Sequence, residues 1–418
     1  MTWTTSYNIR RGIAAALLTH SCVVAGTSTA RADEAKAISG APVLPVEIPE
    51  PSADGIIYLP GADGQPRATN LVPHIQSHLT SYLVDAQSPI AALVLADVRT
   101  GNILAMVQGR KPENWGGHTH SALHGSFPAA SVFKTVVTTA AFEVTDMDSH
   151  LPIGLTGGCS HVRETGDWMR EHTPGRLDSM TLRSAFGKSC NGFFAKIGVN
   201  NLGLGIISEF ARRFGWETGI PADFHVDRSP FVPPVPQYSS THTVGSFAAG
   251  FGKVGLSAAH AAYMMLTVAN SGSTTPLRLF RDSPSLPPVS QRPRIYSPAT
   301  AERLREILDS SVRGGTAGFA FKRGKYRKLH EIVGGKTGTL TGSSPKGLTT
   351  WFAGLAPTND PEVVVAAVVV LEDRWRIKGP NLAAEALSLY FDRQYDRKAM
   401  SSARLVPVAK GRGKFSVK

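Results

Sequence analysis

Ser131-Val132-Phe133-Lys134 opens an apolar stretch, Thr135-Val136-Val137-Thr138-Thr139-Ala140-Ala141-Phe142, and together they predict a helix over 131–144. A serine at a helix start and a lysine three residues on share one face, one turn apart. Unpaired N–H groups and the positive end of the helix dipole then surround the hydroxyl and favour a developing alkoxide. A lysine amine partly desolvated beside it titrates low enough to take the serine proton. The same four residues also describe an N-cap serine with a solvated lysine, and nothing inside the tetrapeptide decides between the two.

The segments around this helix outline an α+β chain. Helical spacing begins at Leu71 and runs through Leu83; Ile90 to Val98, the turn Arg99-Thr100-Gly101-Asn102 and Ile103 to Val107 read as a hairpin. A mostly helical middle follows at 131–144, 181–197, 203–214 and 257–270, the last with Ser257 as its N-cap. After a helix at 298–312, three β-rich runs (Ile332 to Thr339, Thr349 to Leu355, Glu362 to Leu371) precede a closing helix at 381–391. Strands at both ends with helices between them predict one antiparallel sheet assembled from both termini around an inserted helical subdomain. Residues 71–396 suffice for one large domain or two lobes, and the Pro-, Ala- and Gly-rich residues 33–70 read as a linker.

Residues 1–32 read as a secretory signal, with Arg10 and Arg11 before an apolar stretch from Gly12 to Gly26 and a small-residue cleavage site at Ala30-Arg31-Ala32. Losing these residues removes three arginines and no acid, so a formal charge of +12 becomes +9. A basic exported protein is drawn to anionic lipid or to carboxylate-rich wall polymers; export argues against nucleic acid as a partner. From Arg397 to Lys418 there are seven Lys/Arg and no acid, which reads as a solvated, disordered tail able to touch an anionic membrane or wall. Once Cys22 leaves with the signal, Cys159 and Cys190 remain as an even pair in an oxidising compartment; spacing alone does not say whether they meet.

Ser189-Cys190-Asn191 lies between a helical stretch and the apolar Phe193-Phe194-Ala195, and Gly334-Gly335-Lys336-Thr337-Gly338-Thr339 lies in a predicted strand. Glycines in a strand let a second backbone come close, as a peptide-like ligand on an edge requires. Lys336 is a fixed cation for a substrate carboxylate, Thr337 and Thr339 add hydroxyls, and the N–H groups of Ser131 and Thr339 suit an oxyanion hole. In this order, Ser-x-x-Lys, Ser-x-Asn and Lys-Thr-Gly form a signature. On it the chain resembles the transpeptidase domain of penicillin-binding proteins, within the penicillin-binding protein/serine β-lactamase superfamily. The resemblance extends through most of 71–396, including Ala91 to Met106, Phe127-Pro128-Ala129-Ala130-Ser131, Gly314-Gly315-Thr316-Ala317 and Trp351 to Pro357.

The resemblance implies that Ser131 attacks the carbonyl of a D-Ala-D-Ala stem peptide, that Lys134 takes its proton, and that Ser189 relays a proton to the leaving amine, which Lys336 also polarises. Asn191 would hold the acyl-side amide, and Thr337, Gly338 and Thr339 would line the substrate. The acyl group then passes to an amine of a neighbouring stem peptide, and a β-lactam acylates Ser131 in the same way. No cofactor or metal is implied; other cell-wall synthesis proteins are implied partners, and the periplasm or another extracytoplasmic wall space is the implied location. The residues ahead of 71 are too few for a glycosyltransferase domain or a large pedestal, so a nearly bare transpeptidase domain behind a signal is expected. A D,D-carboxypeptidase, a serine β-lactamase with a water-activating group, and a non-catalytic wall-binding module stay open as alternatives. Gly250-Phe251-Gly252-Lys253-Val254-Gly255 matches a dinucleotide fingerprint but reads as a turn into the helix at Ser257, and His118, His120 and His124 read as solvated or substrate-facing histidines.

Overall fold

The computed structural model describes residues 41–392 apart from 46, 110–119, 156–157, 160–161, 166, 170–178, 344 and 373–375. The expected signal and basic tail, and His118, lie outside the described residues.

Five strands form an antiparallel sheet: β1 (Ala91–Asp97), β2 (Ile103–Gln108), β3 (Gly334–Ser343), β4 (Lys346–Ala356) and β5 (Val363–Leu371). Their spatial order is β3-β4-β5-β1-β2, so strands from the two ends of the domain meet where β5 pairs β1. That is the predicted α+β arrangement. Every residue of β1 and of β5 is buried, which explains why these runs are continuously apolar and do not alternate: helices cover both faces.

The period of two splits the strands between two cores. On one face Val94, Ala96, Ala366, Val368 and Trp351 join the helical middle of the chain. On the other face Leu93, Leu95, Val365, Ala367 and Phe352 pack with residues of α1 (Pro73–Asp85) and of a C-terminal helix, Gly379–Phe391. The helical side is built around α2 (Lys134–Val144), α3 (Leu182–Gly187), α4 (Asn191–Ile197) and α5 (Ala258–Ala269). All of α5 is buried, and Ser257 caps it as predicted, its hydroxyl accepting from the His260 N–H.

Two expectations change. Residues 41–70 do not behave as a linker where they are described: Leu44, Ile57 and Leu59 are buried in the core, and Tyr58–Pro60 pairs with Pro66–Ala68. The apolar residues scattered among the prolines are what docks them. The predicted helix 181–197 is two helices, because Ser189 takes φ 56° and breaks the hydrogen-bond ladder between α3 and α4. At that break Cys159 and Cys190 are disulfide-bonded, with their Cα atoms 4.4 Å apart. The bridge closes a sequence separation of 31 residues, an entropic restraint on the unfolded chain worth on the order of 3–4 kcal/mol. Cys159→Ala is expected to lower unfolding free energy in denaturant titration by about 2–4 kcal/mol, and reductant is expected to add no further loss in the variant.

Candidate active site

Ser131 sits in a tight 3-10 turn, Ala130–Phe133, directly ahead of α2. Ala130 holds φ 48°, a left-handed conformation that turns the chain from Pro128 into the helix. The sheet fixes this turn from one side: Trp351 of β4 is fully buried, donates its Nε1–H to the Pro128 carbonyl at 2.9 Å and meets the Phe127 ring edge-on at 5.8 Å. Phe133 anchors it from the other side, against Trp216 at 5.5 Å and Phe247 at 5.4 Å.

One helical turn on, Lys134 is fully buried and donates from Nζ to the Ser131 hydroxyl at 2.7 Å. The same nitrogen reaches Asn191 Oδ1 at 2.6 Å, the Ser189 carbonyl at 3.2 Å and Ser189 Oγ at 3.4 Å. From the opposite wall Lys336 of β3, also fully buried, reaches Ser189 Oγ at 2.9 Å and the Thr337 carbonyl at 3.0 Å. The Ser189 hydroxyl therefore lies between two lysine nitrogens. Its left-handed backbone is what aims it there, at the break between two helices.

Burial, and then the nearby charge of Lys336, hold the Lys134 amine well below the ordinary lysine range. Burial brings Lys336 down to about 7. An amine held below the ordinary lysine range can take a proton from a serine hydroxyl within hydrogen-bond reach, and the contacts Lys134–Ser189–Lys336 offer a route along which a proton can return.

All eight residues singled out in the sequence line one cleft of about 370 Å³ or hydrogen-bond across it: Ser131, Ser189, Asn191, Thr337, Gly338 and Thr339 at its wall, Lys134 and Lys336 beneath. At Gly338 a Cβ would stand 3.2 Å from Val132 and 3.3 Å from the Ala129 carbonyl, so glycine lets β3 close on the turn that carries Ser131. Sequence reasoning quoted Thr316 and Trp351 only as parts of resembling segments and assigned neither them nor Phe319, Thr350, Lys378 and Pro380 to the site, whose lining these six complete. Thr316 was reachable from its Gly-Gly-Thr context: its N–H bonds the Gly187 carbonyl and its hydroxyl bonds Thr337, tying β3 to α3. The others come together only through the fold.

His120 is not the solvated or substrate-facing histidine expected, and neither it nor His124 lines the cleft. His120 is buried and driven down to about 3 by that burial, while His124 pairs with Asp227 at 2.7 Å and with Ser126. Gly250 and its neighbours lead into a strand, Lys253–Leu256, before α5, and so make no dinucleotide loop. Gly250 instead makes room for the turn that carries Ser131. At φ 93°, a Cβ on it would fall 2.2 Å from the Ala130 carbonyl.

The penicillin binding protein transpeptidase domain model matches residues 91–387, and the chain belongs to that family. Peptidoglycan D,D-transpeptidase PbpA of Mycobacterium tuberculosis is 28% identical over 283 residues, covering 64% of this chain and 54% of that protein. Penicillin-binding protein PbpB of Mycolicibacterium smegmatis is 25% identical over 373 residues, covering 80% of this chain and 56% of that protein. The chain thus spans about half the length of the curated relatives it matches. The D,D-transpeptidase domain of a peptidoglycan glycosyltransferase from Eggerthella lenta superposes with a TM-score of 0.62 at 23% identity, over 79% of this chain and 83% of that one. The transpeptidase domain of penicillin-binding protein 3 from Burkholderia pseudomallei does so at 0.61 and 21%, over 77% and 95%. These likenesses establish the fold.

Gly250→Ala is expected to strain the backbone, push on the Ala130 carbonyl and displace Ser131. Unfolding free energy should fall by about 1–3 kcal/mol, and reactivity of Ser131 toward an acylating penicillin should fall with it. A variant that keeps both would show that the close approach does not position the serine.

Proposed function

We propose that the chain is a serine D,D-transpeptidase that forms an acyl-enzyme on Ser131 with peptidoglycan stem peptides ending in D-Ala-D-Ala and passes the acyl group to an amine of a neighbouring stem. The observation that carries this reading is the buried Lys134 nitrogen 2.7 Å from the Ser131 hydroxyl, inside a cleft bounded by the edge strand of the sheet. In the forward step Ser131 Oγ bonds to the penultimate D-Ala carbonyl carbon while its proton moves to Lys134. Donors at the N–H groups of Ser131 and Thr339 receive the oxyanion, and the proton returns through Ser189 to the leaving D-Ala amine as the C–N bond breaks. Asn191, Thr337 and Gly338 hold the bound peptide. A β-lactam follows the same route and stays attached.

Among the described residues lining the cleft there is no aspartate or glutamate. Export by the N-terminal segment, extracytoplasmic or periplasmic action and contact of the basic tail with anionic membrane or wall belong to the same proposal; no helix of the described residues is long and apolar enough to cross a membrane.

Fluorescent penicillin is expected to label the native protein stably, Ser131→Ala to abolish the label, and Lys134→Ala to slow acylation by roughly 10²–10⁴-fold. Labelling of Ser131→Ala at the native level would defeat the acyl-enzyme reading. Rapid loss of label would point to a β-lactamase, and release of D-Ala without dimer formation in the presence of an acceptor amine to a carboxypeptidase.

The pH dependence has a definite sign. A protonated Lys134 accepts nothing, so the acylation rate should fall as pH drops through its depressed pKa, with a limb well below the ordinary value of 10.5. Lys336→Met removes a like charge and should move that limb to higher pH. A limb that stays put or moves down, in stopped-flow acylation profiles, would remove Lys134 from the role of base.

A further inference from the structure

The strand that carries Lys336 also separates it from the hydroxyls beside it. Along β3 side chains alternate, and Lys336 points to the helical side, where its nitrogen meets Ser189 and the Thr337 carbonyl and lies 5.4 Å from the Phe186 ring. Thr337 and Thr339 occupy the other face. Their cross-strand partners are Phe352 and Thr350, and Phe352 belongs to the core of that second face. Lys336 and the two threonine side chains therefore leave the strand in opposite directions, although Ser189, which Lys336 contacts, lines the same cleft as the threonines. Lys336 is also fully buried, already engaged by two oxygens and brought down to about 7. Its position suits proton traffic at Ser189 better than anchoring an anion.

The threonine face has its own cation. Lys378, at the start of the helix Gly379–Phe391, lines the cleft with Thr337, Thr339 and Thr350. The backbone holding it is fixed to β4: the Gly379 N–H donates to Thr350 Oγ1 at 3.0 Å, and the Lys378 N–H donates to Asn381 Oδ1 at 3.0 Å. Its ammonium stands 5.6 Å from the centre of the Phe319 ring, a side chain that is 53% exposed and forms the neighbouring wall.

We propose that Lys378 is the specificity-determining cation of the cleft: with the Thr337 and Thr339 hydroxyls it binds the terminal carboxylate of the peptide donor, while Lys336 serves the proton path. This inference rests on the acyl-enzyme reading. It assigns the anion-binding role, which the sequence gives to Lys336, to a residue forty-two positions further along the chain and on a different element.

The test uses the whole chain and two N-acyl-D-alanyl thioesters that differ only in whether the leaving thiol ends in a carboxylate or in a carboxamide. The native protein is expected to prefer the carboxylate donor. Lys378→Met should lower kcat/KM for the carboxylate donor roughly 10- to 100-fold relative to the carboxamide donor, the scale of a hydrogen bond to a charged group, and Lys378→Arg should restore most of the preference. Lys336→Met should slow both donors alike. A preference that survives Lys378→Met, or one that disappears in Lys336→Met, overturns the assignment, as does a native protein that does not distinguish the donors. Failure of the native protein to be acylated by either thioester or by fluorescent penicillin is a separate result: it overturns the acyl-enzyme reading itself and this assignment with it.

Discussion

Two lysines are buried across one cleft, and among the described residues neither forms an ion pair with a carboxylate. An ammonium taken out of water without a counter-charge costs several kcal/mol, and a second one nearby adds repulsion. Both amines are therefore driven to release their protons more readily than an exposed lysine, which is the tendency a proton acceptor needs. A Lys134 amine without its proton has a lone pair, and the Ser131 hydroxyl is the group placed to use it. The fold follows from this requirement. One wall must come from a helix that delivers serine and lysine one turn apart; the other must be a strand stiff enough to hold a second lysine at the same serine bridge.

Holding them there requires strained backbone at two points, Ala130 and Ser189, both in left-handed conformations without glycine. Each costs of order 1–3 kcal/mol and persists only where the surroundings over-determine it. At the first, Trp351 and Phe133 clamp the turn from opposite sides, and burying either contributes about 1.5–3 kcal/mol. At the second, the Cys159–Cys190 bond and the contact of Asn191 N–H with the Cys159 carbonyl pin the chain at the helix break. Strain and its compensation thus lie within a few residues of the reacting atoms, so substitutions that disturb packing here disturb chemistry too.

Much of this was legible in the sequence, for reasons that differ by element. The strands over 91–97 and 363–371 announced themselves because both faces are buried, leaving uninterrupted apolar runs, and their distance in sequence already pointed to a sheet closed from both ends. Ser131, Lys134, Ser189, Asn191 and Lys336 were visible because each chemical role admits few residue types. The break at Ser189 was not visible: Lys188-Ser189-Cys190 contains neither glycine nor proline, and the left-handed turn is imposed by tertiary contacts. Residues 41–70 misled because proline content conceals how few apolar anchors, Leu44, Ile57 and Leu59, suffice to dock an extended segment. Lys378 and Phe319 belong to no local pattern and become neighbours of the threonines only when the last helix is laid on the sheet.

The edge position of β3 gives this division its meaning. A strand inside a sheet has both backbone edges occupied, whereas β3 pairs only with β4 within its sheet and turns its other edge toward the turn that carries Ser131. Alternation then lets a short run of residues face two environments. Lys336 turns into the dry interior between the helices, where desolvation makes it an exchanger of protons. Thr337 and Thr339 turn to the face where Lys378 lines the cleft beside them, and the Thr337 hydroxyl is held there by that of Thr316. A single lysine asked to do both would be pulled in opposite directions, because gripping a carboxylate stabilises the ammonium and so removes it from proton exchange near neutral pH. Separating the two roles across the faces of one strand removes that conflict and lets each group keep the protonation state its role requires.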